Sequence, residues 1–191
     1  MADQLFRFLR FYQCVEFYFP KTRADEVKRA VSALVGKSTF DPTVPEHIEE
    51  LIAVAADKKE YTEQHQLEAV MRKCLTDFEI RQYLKADQSR SRSFSPKKGA
   101  CPFQALPFYN DGSDLLKCLA QRIYQIRCSI VHSKGYETSE KLMPDSPATA
   151  ILGPDIELMQ FVAQRVLISF GKPIPALDLS LPTAPAGRQT T

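Results

Sequence analysis

An all-α bundle is the fold class this sequence predicts, on three observations. Apolar residues recur at three- and four-residue spacing in several separate stretches, and cap-like residue pairs stand ahead of some of them. No alternating apolar run bounded by hairpin turn residues occurs anywhere.

The first stretch, Leu5 to Phe19, is crowded with Phe, Tyr and Leu and is expected to be a helix buried on much of its circumference, ended by Pro20. Thr22 with Asp25 resembles a capping box for a second helix through Val27, Val31, Leu34 and Val35, with Gly36 at its end. A loop holding Asp41, Pro42 and Pro45 leads to a short third helix carrying Ile48, Leu51, Ile52 and Val54. Thr62 opens a fourth helix, and Thr76 with Glu79 restarts it after a bend. Residues 87–113 break the pattern. The run Ser89-Arg90-Ser91-Arg92-Ser93, Lys97-Lys98-Gly99, Pro102 and Pro107 predict a basic, Pro-rich surface loop, and its clustered cations suit a phosphate-contacting arm.

Ser113 or Asp114 then caps a long helix with Leu116, Leu119, Ile123, Ile126 and Ile130 on one stripe. Pro154-Asp155 starts a closing helix that Gly171 and Pro173 stop. The reading is one helical domain over residues 1–172 and a disordered, Pro- and Thr-rich tail over 173–191.

Apolar residues make up 44% of the chain and charged residues 25%, values that exclude wholesale disorder. A net charge of +2 supports no polyanion partner by itself; only a local patch could. The five cysteines form no Cys-x-x-Cys pair and no zinc-finger spacing with His, so they are expected to be free thiols and no metal or cofactor is implied. Asp3, Arg7 and Arg10 interrupt any signal-peptide pattern, and no stretch reaches the ~20 apolar residues of a membrane span. A soluble, cytoplasmic protein without membrane association is expected. His47 and His65 stand among Glu and Gln and read as solvated helix residues.

The chemistry-bearing candidate is the end of the long helix, Ile126-Arg127-Cys128-Ser129-Ile130-Val131-His132. At 100° per residue, Arg127 flanks the core stripe and His132 lies about 140° further round. Lys117, Tyr124, Cys128 and Val131 lie between them on a second, partly apolar face. With 12 Arg and 3 His in the chain, an Arg-x4-6-His pair arises by chance roughly once in two such sequences, so the placement late in a long helix is what gives this one weight.

This run, within an all-α chain of this size, resembles the HEPN superfamily, and most of all its Apea-like branch. The aromatic opening helix and the closing helix at Ile156 to Phe170 are similar to those of the branch. The resemblance implies a HEPN-like bundle with irregular loops and a homodimer formed through the 114–132 helix, in which two motifs complete one site. It also implies metal-independent RNA cleavage by attack of the ribose 2′-hydroxyl on the adjacent phosphorus. By that resemblance His132 is the acid–base group and Arg127 the phosphate clamp, roles their chemistry suits. Arg122 and Lys134 add RNA contacts, and a defence or toxin-like setting with a regulatory partner protein follows from family association.

One position departs from the pattern. Active members usually carry Asn, Asp or His after the Arg, whereas this chain has Cys128, a weak hydrogen-bonding group. The family also includes domains that have lost catalysis and serve dimerisation or partner docking, which is the second expectation. A third is purely structural: Arg127 pairs with a carboxylate of a neighbouring helix, and His132 sits at a helix C-terminus where the macrodipole favours it.

Overall fold

The structure, a computed structural model, describes residues 2–56, 62–95, 103–131 and 152–171. Eight α-helices and no strand occur among them: α1 (Ala2–Glu16), α2 (Phe19–Val35), α3 (Pro45–Ala56), α4 (Glu63–Cys74), α5 (Asp77–Lys85), α6 (Gln88–Phe94), α7 (Leu115–Val131) and α8 (Gly153–Phe170). The all-α class therefore holds. No helix is long and apolar enough to cross a membrane, among the described residues.

Helix α4 occupies the middle of the packing, touching α1, α2, α7 and α8, and α1 lies along α8. The core is continuous from Phe8, Tyr12 and Val15 through Leu67, Val70 and Met71 to Leu119, Ile123 and Ile126, closed by Met159, Val162 and Val166. Each set repeats at three- or four-residue spacing on its own helix, so burying one stripe of each is what holds the bundle together.

Local signals explain the α4–α5 bend. Thr62 Oγ1 accepts the His65 N–H, and Thr76 and Glu79 form a reciprocal capping box that restarts the helix at Asp77. Asp114 accepts the Lys117 N–H, and Asp77 reaches across to the Leu115 and Leu116 N–H groups, so two carboxylates serve the first turn of α7.

Three local readings need correction. Pro20 does not end α1; it sits in the first turn of α2, where its missing N–H costs nothing. Accordingly Thr22 is not a cap but a buried residue inside α2, and Asp25 pairs with Lys73 of α4. Helix α1 buries only one stripe, leaving Phe6 exposed, with Phe17 exposed just beyond its end.

The basic segment expected as a loop contains α6. Asp87 caps it by accepting the Arg90 N–H, the Ser91 hydroxyl donates to the Leu84 carbonyl at 2.7 Å, and Phe94 is buried. Arg90 is used within the chain: its guanidinium lies over the Tyr83 ring and donates to the Tyr83 carbonyl. Lys97 and Lys98 lie outside the described residues, as does the tail over 173–191. The segment from Phe103 to Asp114 has no regular element, and Arg81 of α5 ties it down by donating to the carbonyls of Phe108 and Ser113.

Arg122 links the last layer to the rest. It is 2% exposed, and its Nε and Nη2 donate to the two oxygens of Asp155 at 2.7 and 2.9 Å. Its Nη1 donates to the Gln104 carbonyl at 2.6 Å, and Phe94 and Phe103 lie against the guanidinium. One side chain thus joins α7, the first turn of α8 and the 103–106 segment. Removing one partner of such a pair strands a buried charge, at a cost of about 3–5 kcal/mol. Urea unfolding of Arg122→Met and of Asp155→Leu should each show a loss of that order, whereas the double variant should lose far less than their sum.

Candidate functional site

The outer end of α7 is where the sequence places its chemistry. The core stripe is as read: Leu116, Leu119, Ile123 and Ile126 are buried, and Ile130 packs partly against them. Once that stripe faces inward, the remaining positions of α7 are set by the helical period.

Arg127 emerges on the flank facing α4, with its side chain 19% exposed. Its Nε is 2.9 Å from Glu63 Oε1, an ion pair between α7 and the first turn of α4. The same carboxylate oxygen accepts the Tyr12 hydroxyl at 2.6 Å. Three helices therefore meet at one carboxylate, between a phenol from the core and a guanidinium from the rim. Burial, and then the bond to Glu63, push the Tyr12 pKa above its ordinary value, so this phenol stays protonated and donating.

The neighbouring positions turn elsewhere. Cys128 is half-buried, and the Tyr124 hydroxyl one helical turn back is pushed up in pKa by its hydrogen bond with Cys128 and then by burial. Ser129 donates its hydroxyl to the Gln125 carbonyl within the helix. Lys117 and Val131 are exposed.

The structure thus brings Arg127 together with Glu63 and Tyr12. Arg122 does not join them: committed inside the core to Asp155 and Gln104, it does not stand on a surface where RNA could reach it. The family resemblance implied an RNA contact for it; Asp155, 33 residues away, turns it inward. His132 and Lys134 lie outside the described residues. Glu63 and Tyr12 carry no sequence mark beyond Glu63 following the Thr62 cap, a helix-start signal that says nothing of Arg127. No group of three potential metal ligands occurs among the described residues.

No family model matches the sequence, and comparisons with curated proteins and with solved structures return no match.

Replacing Tyr12 by Phe removes a buried donor to a charged acceptor and should lower stability by about 1–2 kcal/mol near neutral pH. Because the folded pKa of Tyr12 is raised, its contribution is full below the unfolded value of about 10 and is lost as pH rises through the folded one. Urea unfolding of wild type and Tyr12→Phe at pH 7 and at pH 11 should show the difference shrinking at the higher pH.

Proposed function

We propose that this chain is a HEPN-like, non-catalytic partner-binding domain that self-associates through the outer face of α7. The observation that supports this reading is the ion pair between Arg127 and Glu63. A phosphate clamp must turn its guanidinium to the incoming anion. Here a carboxylate already lies against the Nε edge, and an entering phosphate would sit beside a second negative charge that Tyr12 holds in place. Arg127 in this setting fastens α7 to α4, which is a structural task.

Cys128 points the same way. The position that would orient a catalytic site carries a thiol engaged with Tyr124 on its own helix. What α7 offers outward is a mixed surface of Lys117, half-buried Tyr124 and exposed Val131. A second copy is the partner that the family resemblance implies for this helix. Packing of like faces about a two-fold axis would place each copy against the same residues. The ribonuclease reading rests on Arg127 exchanging Glu63 for a phosphate in the presence of His132.

Sedimentation velocity over a concentration series, paired with RNA incubation in the presence of chelator, separates the two. A concentration-dependent dimer is expected, weakened at least tenfold by Val131→Glu, with no RNA cleavage. A chain that stays monomeric at about 100 μM defeats self-association. Cleavage that disappears in both Arg127→Gln and His132→Ala, with folding checked by circular dichroism, would replace this proposal with the ribonuclease.

A further inference from the structure

Two clefts run where α2 meets α4, of about 640 and 510 Å³, and they share Lys28. Their walls carry five cations: Arg23, Lys28, Arg29, Arg72 and Lys73. Only two carboxylates, Asp25 and Glu26, line the same walls. Glu68 and Asp114, which adjoin Arg72 outside the clefts, bring the carboxylates of this face to four against its five cations.

The cations differ in how far they are neutralised. Lys73 pairs with Asp25, and Arg72 bonds both Glu68 and Asp114. Lys28 and Arg29 are exposed on α2, and Arg29 directs its Nε to a backbone carbonyl, that of Asp25. These two are therefore best placed to meet an external anion.

An aromatic cluster adjoins the larger cleft. Lys73, on the cleft wall, lies 5.0 Å from the centre of the Phe170 ring, and Lys21 lies 5.1 Å from it. Phe170 stacks on Tyr18 at 4.4 Å, and Phe17 meets Tyr18 edge-on at 5.2 Å. Phe17 is 77% exposed, an open ring at the outer end of an aromatic row that reaches the cleft wall through Tyr18 and Phe170.

Exposed cations along a cleft, with an open ring at the end of the aromatic row that adjoins it, match the needs of one class of partner. A single-stranded polynucleotide presents phosphates to a groove and a bare base to a ring. A duplex keeps its bases stacked and would leave Phe17 unused. An anionic bilayer is flat and would face Asp25 and Glu26 together with the cations. We infer that the α2–α4 face binds single-stranded nucleic acid, with phosphates along Lys28 and Arg29 and a base stacked on Phe17. Phosphates and base faces are common to both sugars, so RNA and DNA strands are expected to bind alike. The inference does not depend on the role assigned to α7.

Fluorescence anisotropy with 15-nucleotide oligo-U and oligo-dT probes tests it, read across a salt series. Both strands should bind, with a log–log salt slope near −1.4, about what the two phosphate contacts at Lys28 and Arg29 produce on a single strand. Lys28→Glu with Arg29→Glu should weaken binding at least tenfold and flatten the slope by about 1.4. Phe17→Ala should weaken it roughly tenfold with the slope unchanged, since stacking is not ionic. Lys85→Glu, on α5, should change nothing. Thermal melts confirm that each variant is folded. The inference is overturned by an absence of binding at 50 mM salt, by equal binding of a duplex with no effect of Phe17→Ala, or by capture on phosphatidylserine vesicles without binding of either strand.

Discussion

The bidentate pair between Arg122 and Asp155 is the constraint on which the arrangement of the bundle turns. A guanidinium taken out of water demands a partner for each of its edges, and it finds them on α8 and on the 103–106 segment. These bonds admit only one rotation of α7 about its axis. Five residues further along, the helical period brings the next arginine about 140° round, toward α4 instead of α8. The destination of Arg127 is thus a consequence of where Arg122 is held, and Glu63 stands where Arg127 arrives.

Two arginines on one helix consequently do similar work at different depths. Arg122 is fully enclosed and satisfies its edges with a carboxylate, a carbonyl and two aromatic rings. Arg127 is partly hydrated and shares its carboxylate with a phenol. The first contact orders the layer containing α8, and the second fastens α7 to the layer containing α1 and α4. Arg81 adds a third tie of this kind by gathering the carbonyls of a segment with no regular hydrogen bonding of its own. The irregular stretch before α7 is held in place by a side chain as a result.

What was legible in the sequence was local. The caps at Thr62 and at Thr76 with Glu79, and the core stripe of α7, each depend on residues within a few turns of one another. What was hidden depends on contacts made between separate elements. The Arg/Ser run reads as solvated because nothing near it shows that Leu84 will accept the Ser91 hydroxyl or that Phe94 will enter the core. Arg122 reads as a surface residue until Asp155 is beside it, and Arg127 as a clamp until Glu63 is. Pro20 shows a different ambiguity: a proline can mark the end of one helix or the first turn of the next, and adjacency alone does not say which.

Helices α2 and α3 differ from the others in how little they bury. Helix α3 has no buried residue, and α2 has Phe19, Thr22 and Leu34 alone. Few apolar contacts oppose the opening of this pair, whereas α4, α7 and α8 can open only by disrupting the shared core. The amides of α2 and α3 should therefore exchange with solvent through a sub-global opening at low free energy, while those of α7 exchange near the global limit. The molecule is in this sense two cooperative units of unequal stability, and the cleft between α2 and α4 lies on the seam between them.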